Sequence, residues 1–261
     1  MDHIQSKTIV FVTGAFVTHK GWDEWKTYFE SKGYTTFAPP WPNKDASAEE
    51  LRARHPDKDI ASLSLGQVVE SYAEFVKSLP ERPIIIGHSI GGLITQILVN
   101  RDLAAAGVAI HPVPPQGVFP LEFSFFKATW GPLGLFSSIN KTYLMTLKDW
   151  QYAFTNGMSV EAQEESYKAN VIPESKRVLR GTLTATARID FKKPHAPLLI
   201  LAGSTDNIIP ASLNKRNFNR YSQTNGSVTE LKVLEGRNHF VIGQPTWKET
   251  ADIILEWLRS Q

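Results

Sequence analysis

The sequence contains no cysteine among its 261 residues. This absence excludes disulfide frameworks, thiolate metal sites, iron–sulfur clusters and a cysteine nucleophile. Any nucleophile that the chain uses must therefore be an oxygen or a nitrogen atom.

Long apolar runs and an excess of one charge are also lacking. No stretch approaches the roughly 20 apolar residues of a membrane helix, and residues 1–7 have neither the basic end nor the apolar run of a signal peptide. The 28 basic and 26 acidic residues leave a formal net charge of +2, too little to indicate a nucleic-acid surface or a polybasic membrane anchor. We expect a cytoplasmic protein without nucleic-acid or membrane partners, either a monomer or a homodimer.

What the sequence does contain is an alternation of apolar strands and amphipathic helices. The pattern predicts strands at residues 9–13, 34–38, 83–87, 108–110, 198–202 and 228–234. Helical spacing follows most of them, and the polar stretch up to Ser64 is expected to be a long surface loop with one short helix at 48–54. Strands separated by helices favour an α/β fold with a mostly parallel sheet and helices on both faces.

The alternation breaks between residues 112 and 193. Ten of the 36 positions from Phe119 to Phe154 are Phe, Trp or Tyr, against 11% aromatic residues in the whole chain. We therefore assign residues 1–111 and 194–261 to an α/β core, and residues 112–193 to an aromatic-rich helical cap inserted into it.

A candidate nucleophile lies in the sequence Gly87-His88-Ser89-Ile90-Gly91, which fits the pattern G-x-S-x-G. An apolar strand precedes it and a helix follows it, as a nucleophile at a strained strand-to-helix turn requires. Small residues on either side of the serine let the turn pack against neighbouring backbone. The alternative is a tight turn that merely contains a serine.

A serine hydroxyl needs a base to take its proton and a carboxylate to orient that base. His239 lies in the loop between the last strand and the last helix, and Asp206 lies in the loop after strand 198–202. Both loops follow the carboxyl ends of strands, on the edge where Ser89 is expected. Their alternatives are an ordinary loop histidine and a turn-forming aspartate.

Acyl transfer also needs two N–H groups that bind the oxyanion. We assign these to Ile90, at the start of the helix after Ser89, and to Ala15, in the loop after the first strand. The neighbouring side chain, Phe16, would then form a wall of the substrate pocket.

Taken together, these residues resemble the α/β-hydrolase superfamily over nearly the whole chain, and bacterial serine esterases and lactonases in particular. The matching positions are Gly14 and Ala15, Trp22, residues 87–92, residues 206–210 and residues 236–240. The resemblance implies an α/β-hydrolase fold with the triad Ser89, Asp206 and His239 in that chain order. One departure is Thr13, which stands where the family usually has a histidine that shapes the oxyanion loop.

The aromatic middle of the chain predicts an apolar pocket over the serine, although some of its aromatic residues must form its own core. The expected pocket residues are Phe16, His88, His111, Phe123, Phe126, Trp130, Trp150, Phe154 and Phe240. Such a lining favours a hydrophobic acyl ester or a lactone, including the acyl-homoserine lactones of some relatives and macrocyclic lactones, over a sugar or a phosphate.

The sequence therefore predicts a serine esterase or lactonase that works through an acyl-enzyme without a metal or a cofactor. No H-x-H or H-E-x-x-H pattern occurs, which disfavours a metal-dependent hydrolase. Two alternatives stay open: a cofactor-free haloperoxidase or a lyase of the same fold, and a ligand receptor with little turnover.

Overall fold

The computed structural model describes residues 4–261. Residues 1–3, with which the predicted core begins, lie outside the described residues. In the first part of the chain, strands alternate with helices in the order β1 (Thr8–Val12), α1 (Asp23–Glu30), β2 (Thr35–Phe37), α2 (Ala48–Ala53), α3 (Lys58–Ser62), α4 (Leu65–Lys77), β3 (Ile84–His88), α5 (Ile90–Asn100) and β4 (Ala106–Ile110).

Residues 112–193, called the middle segment below, are mainly helical. They contain α6 (Phe123–Leu133), β5 (Thr142–Tyr143), α7 (Leu147–Ala153), α8 (Val160–Asn170), β6 (Glu174–Ser175) and α9 (Lys176–Gly181). The chain then returns to β7 (Leu198–Gly203), α10 (Ala211–Phe218), β8 (Thr229–Leu234) and α11 (Trp247–Ser260). Among the helices of residues 4–261, none has the length and apolar character needed to cross a bilayer.

Six strands form one sheet in the order β2-β1-β3-β4-β7-β8, and every neighbouring pair is parallel. Every residue of the inner strands β1, β3, β4 and β7 is buried, which explains their continuous apolar sequences. Because the strands are parallel, their carboxyl ends meet at one edge of the sheet. The predicted α/β class is therefore confirmed, and this edge gathers the loops that carry Ser89, Asp206 and His239.

The two faces of the sheet bury separate hydrophobic clusters. Along β1, Val10 belongs to one cluster, with residues of α4 and α5. Phe11 belongs to the other, with residues of α1 and α11. Successive side chains of a strand point to opposite faces, so helices cover the sheet on both sides, as predicted.

The middle segment shares its core with the sheet. Trp150, Phe154 and Val178 belong to the same buried cluster as Val10, and α8 and α9 contact α2 and α4. The segment forms β5 and β6 as a separate antiparallel pair and adds no strand to the six-stranded sheet within the described chain.

The polar stretch after β2 contains two helices, whereas the sequence predicted one. The second is α3, which the carboxylate of Asp57 caps by accepting the N–H groups of Asp59 and Ile60. Ile60 is fully buried with Leu51 and Ile172 in a small third cluster. The helix was missed because an aspartate cap and two adjacent buried apolar residues, Ile60 and Ala61, give little periodic signal over five residues.

Candidate active site

Ser89 lies at a strained turn between β3 and α5. Its backbone has φ 58° and ψ −119°, a conformation that costs a non-glycine residue on the order of 1–3 kcal/mol. The flanking glycines are required sterically, since a Cβ on Gly91 would lie 2.1 Å from the Val12 carbonyl oxygen. A Cβ on Gly87 would lie 2.1 Å from the Gly91 carbonyl oxygen. The turn thus holds the serine at the carboxyl edge of the sheet.

The structure brings the three side chains named from the sequence into one hydrogen-bonded chain. His239 Nε2 lies 3.0 Å from Ser89 Oγ, and His239 Nδ1 lies 2.7 Å from Asp206 Oδ2. The other carboxylate oxygen, Asp206 Oδ1, accepts the N–H groups of Ile208 and Ile209 at 2.9 and 2.8 Å. The loop after β7 therefore fixes the carboxylate, and the carboxylate fixes the imidazole.

The charge state of Asp206 determines which nitrogen of His239 carries the proton. Burial by itself raises the pKa of the Asp206 carboxyl, but the electrostatic interaction with His239 and the hydrogen bonds from His111 and His239 outweigh burial and hold this pKa well below its usual range. An ionised carboxylate can only accept hydrogen bonds, so Nδ1 of His239 is the donor to Asp206. Nε2 is then free to accept the proton of Ser89.

His111 is a second partner of the same carboxylate, and the expectation that it lines the pocket is wrong. Its Nδ1 lies 2.9 Å from Asp206 Oδ2, and its side chain is fully buried at the end of β4. The ring lies against Gly203, where a Cβ would be 2.4 Å from its Cε1 atom. His111 therefore supports Asp206 from behind, away from the cavity next to Ser89.

His88 is also buried, and it does not line the cavity next to Ser89, which corrects its prediction as a pocket residue. Its Nε2 donates to the carbonyl oxygen of His239 at 2.8 Å, and its Nδ1 is buried without a partner among the described residues. A ring with one donating and one unpaired nitrogen is neutral. His88 thus anchors the backbone of the loop that presents His239.

Burial gives the stability of the protein a specific pH dependence. It lowers the pKa of His88 well below 6.5 and also lowers the pKa of His111, so below about pH 6.5 the unfolded chain takes up protons that the folded chain does not. The free energy of unfolding should therefore fall between pH 7.5 and pH 5.5, by up to about 1.4 kcal/mol per pH unit for each histidine. Urea unfolding at both pH values measures this fall, and His88→Gln should reduce it. Equal stability of the wild type at the two pH values would contradict the expectation.

A small apolar cavity of about 70 Å³ opens next to Ser89. Its lining includes Ala15, Phe16 and Ile90, the three residues predicted from the sequence to surround the serine. The loop that carries Ala15 is packed tightly against the turn, because a Cβ on Gly14 would lie 2.9 Å from the His88 carbonyl oxygen.

Of the aromatic residues expected in the pocket, Phe16 and Phe154 line this cavity and the others do not. Phe123 is 80% exposed on α6, and Trp150 is fully buried, stacked on Phe154 at 4.3 Å between ring centroids. Phe240 packs against Trp150. Their placement as pocket residues is therefore corrected: Phe123 faces solvent, and Trp150 and Phe240 form core behind Phe154.

Phe126 and Trp130 line a second, larger cavity of about 630 Å³, which adjoins the first. The two cavities share Phe125, Thr129, Leu133 and Leu183 as lining residues. Aliphatic residues that were not predicted also line the inner cavity, among them Leu179, Ile208 and Ile209. Ile208 and Ile209 lie two and three positions after Asp206, so their proximity to the site could be predicted from the sequence. The position of α9, which carries Leu179, could not.

The side chains around Asp206 also have the chemistry of metal ligands. Ligand atoms of His111, Asp206 and His239 lie within 4.8 Å of one another. In the structure these atoms bond to each other, since both imidazole Nδ1 atoms contact the same Asp206 oxygen. This is the arrangement of a carboxylate that orients a base.

Comparisons with known proteins agree with the fold. Residues 9–252 match the model of a family described as the alpha/beta hydrolase family, and no curated protein matches the chain in sequence. Similar solved structures include a methylesterase from Arabidopsis at 17% identity and a TM-score of 0.67, covering 97% of this chain and 99% of that one.

Two further structures are similar in the same way. A monoacylglycerol lipase from Paleococcus ferrophilus has 18% identity and a TM-score of 0.68, with 97% of this chain and 94% of that chain covered. A pyrethroid hydrolase from Sphingobium faniae has 15% identity and a TM-score of 0.66, with 96% of each chain covered. At these identities the likeness shows the fold. With the family match over most of its length, the chain belongs to the alpha/beta hydrolase family.

Proposed function

We propose that the protein is a serine hydrolase that cleaves hydrophobic carboxylic esters, including the internal ester of a lactone, through an acyl-enzyme on Ser89. The observation that carries this proposal is the hydrogen-bonded series from Asp206 through His239 to Ser89, opening onto an apolar cavity. The similar solved structures include proteins whose names describe them as an esterase, a lipase and hydrolases.

In the proposed reaction, Ser89 Oγ attacks the ester carbonyl while His239 Nε2 takes the serine proton. The N–H groups of Ile90 and Ala15 bind the oxyanion of the tetrahedral intermediate, and the position of Ile90 at the start of α5 adds the favourable end of the helix dipole. His239 then gives its proton to the leaving alcohol. A water molecule, activated by the same histidine, releases the acid in the second half of the reaction.

The middle segment acts as a cap in this proposal. It contributes Phe125, Phe154 and Leu179 to the cavity next to Ser89, so its position removes water from the reacting ester and strengthens the oxyanion hydrogen bonds. The assignment of residues 112–193 as a cap on the core of residues 1–111 and 194–261 rests on this placement.

Turnover distinguishes this function from that of a ligand receptor. The purified protein should hydrolyse p-nitrophenyl butyrate for many cycles per molecule, whereas a ligand receptor would release at most one equivalent of nitrophenol. Lactone hydrolysis is tested with an acyl-homoserine lactone and a macrocyclic lactone. The measurement is the proton that is released when the ring opens. A protein that releases one equivalent and stops would reject the proposal.

The two adjoining cavities predict a preference for long acyl chains. A short acyl group fits the inner cavity of about 70 Å³. A longer chain extends past the residues that line both cavities, the shared wall, into the outer cavity of about 630 Å³. We expect kcat/KM for p-nitrophenyl octanoate to exceed that for the acetate by at least about tenfold, since each buried methylene contributes about 0.8 kcal/mol.

A single substitution in the shared wall tests this route. Leu183→Trp should lower kcat/KM for the octanoate about tenfold and leave the acetate within about twofold, because the larger ring obstructs the passage. Val160→Trp is a matched control, since Val160 and Leu183 are similarly exposed, at 56% and 55%, and Val160 lines neither cavity. Equal effects of Leu183→Trp on both esters would show that the outer cavity does not hold the acyl chain.

A further inference from the structure

A buried ion pair lies next to the loop that carries Ala15. Lys44 Nζ is 2.5 Å from Glu174 Oε2, and the two side chains are 3% and 0% exposed. Removing two charges from water costs several kcal/mol for each ion, so a buried pair is weak evidence for a purely stabilising role. This pair joins the loop after β2 to β6 of the middle segment, 130 residues further along the chain.

Glu174 also bonds directly to residues 13–16, the loop that carries Ala15, which is called the oxyanion loop. Its Oε2 atom accepts the N–H of Phe16 at 3.1 Å, and the nearby Ile172 donates its N–H to the Phe16 carbonyl oxygen at 2.9 Å. Phe16 has φ 68°, a left-handed conformation that costs a residue with a side chain about 1–2 kcal/mol. Both backbone polar groups of a strained residue are thus held by the stretch between α8 and α9.

A second support lies on the other side of Ala15. Trp41 donates its indole N–H to the carbonyl oxygen of Thr13 at 3.1 Å. The peptide planes before Gly14 and before Phe16 are therefore both fixed, and the plane that carries the Ala15 N–H lies between them. Two fixed neighbouring planes leave the intervening one little freedom to rotate.

The Lys44 ammonium contacts both supports. Besides Glu174, it lies 4.2 Å from the centroid of the Trp41 ring, a distance at which a cation is attracted to the face of an indole. One charged group thus joins the two side chains that hold the oxyanion loop. In this chain Thr13 occupies the position at which the resembled family usually has a histidine that shapes the same loop.

We infer that Glu174 and Lys44 are positioning residues for the oxyanion hole: the pair fixes the backbone around Phe16 so that the Ala15 N–H is directed at the carbonyl oxygen of a substrate bound at Ser89. Neither residue touches the substrate, and the inference rests on the proposed function of Ser89. Because an oxyanion donor acts on the transition state more than on the bound ester, loss of the pair should lower kcat and leave KM nearly unchanged.

The test uses Glu174→Gln, which keeps the shape of the side chain and removes its charge. With p-nitrophenyl butyrate, kcat should fall about 10- to 100-fold and KM should change less than about threefold, since removing an oxyanion donor costs 10²–10³ in kcat and this variant displaces the donor only in part. The affinity for an alkylboronic acid, which forms a tetrahedral adduct with the serine, should fall by a factor similar to that for kcat. Lys44→Met should act alike, and Lys44→Arg should restore much of the activity because it retains the charge.

Glu122→Gln is the matched control, since Glu122 also joins the middle segment to the core, through Arg216 at 2.5 Å. It contacts neither Phe16 nor Trp41 in the described chain, so kcat should stay within about twofold. A Glu174→Gln protein with unchanged kcat, or with a higher KM alone, would overturn the inference. If neither Glu174→Gln nor Lys44→Met folds, as judged by circular dichroism, the pair serves general stability and the positioning role is rejected.

Amide hydrogen exchange separates this inference from the proposed function. Peptides covering residues 12–18 should exchange faster in Glu174→Gln than in the wild type, and the Glu122→Gln control should not change. A wild-type protein without turnover whose loop is nevertheless loosened by Glu174→Gln would reject the esterase function and leave only the fixing of the loop by the ion pair. An active wild type whose loop exchanges equally in both proteins would reject the positioning role alone.

Discussion

Ser89→Ala should lower turnover of p-nitrophenyl butyrate by at least about three orders of magnitude and leave the fold intact. The hydroxyl oxygen lies 3.0 Å from His239 Nε2 and is the nucleophile of the proposed reaction. Within the described residues, this contact is the one hydrogen bond that the Ser89 side chain makes. Alanine adopts the strained turn as readily as serine does, so the backbone of the elbow has no reason to change.

The measurement is steady-state release of nitrophenol, with intact-mass analysis after treatment with a phosphonate ester that labels active serines. The wild type should gain one adduct and Ser89→Ala should gain none. His239→Ala should lose a similar amount of turnover, and the double variant should be no worse than either single variant, because the members of such a triad act as a unit.

Ser204→Ala is a suitable control, since Ser204 follows β7 at the same edge of the sheet and bonds to Glu235. Its turnover should match the wild type. If Ser89→Ala kept a tenth or more of the activity with an unchanged circular dichroism spectrum, a different group would have to be the nucleophile.

The strands that position the triad could be predicted from the sequence because they are buried on both faces. Residues 83–87 form an uninterrupted apolar run that ends at a glycine, and the structure places β3 at Ile84–His88. The loops after such strands must meet at one edge of a parallel sheet. This constraint brings Ser89, Asp206 and His239 together, and it needs no knowledge of side-chain packing.

The pocket could not be predicted in the same way, because composition does not say which face of a helix is covered. Phe125 and Phe126 are adjacent on α6, yet Phe125 lines both cavities and Phe126 lines only the outer one. Trp150 and Phe123 are equally apolar in the sequence, but one is fully buried and the other faces solvent. The direction of each side chain depends on how α6 and α7 pack, which is a tertiary property.

The supports of the site were invisible for a related reason. His111 is separated from Asp206 by 95 residues, and Lys44 from Glu174 by 130 residues. A histidine at the end of a strand and a lysine in a polar loop carry no local signal of such pairing. Their contacts follow from the sheet order, in which β4 lies beside β7, and from the return of the middle segment to the loop after β2.

Asp57→Asn provides a close control for a change at Asp206. Both aspartates use Oδ1 to accept the N–H groups of residues two and three positions later, so an asparagine oxygen can replace that acceptor in either turn. Only Asp206 also receives imidazole groups on its second oxygen. The second oxygen of Asp57 instead pairs with Arg54 Nη2 at 2.6 Å. The two variants therefore share the local turn, and only the change at Asp206 removes a contact with histidine.

Asp206→Asn should lower kcat about 10⁴-fold, the size of effect that follows when the base of a serine triad is held in the wrong tautomer. With its oxygen retained by the N–H groups of Ile208 and Ile209, the new amide must direct its NH₂ group at His239 Nδ1. That nitrogen then has to accept a hydrogen bond, so the ring proton moves to Nε2 and the base can no longer take the proton of Ser89. Steady-state kinetics of the two asparagine variants at pH 7.5 measure the difference, and Asp57→Asn should stay within about threefold of the wild type. An Asp206→Asn protein that is folded and loses less than about tenfold would mean that the carboxylate neither sets the tautomer of His239 nor stabilises its charge, and the proposed acyl-transfer mechanism would lose its base.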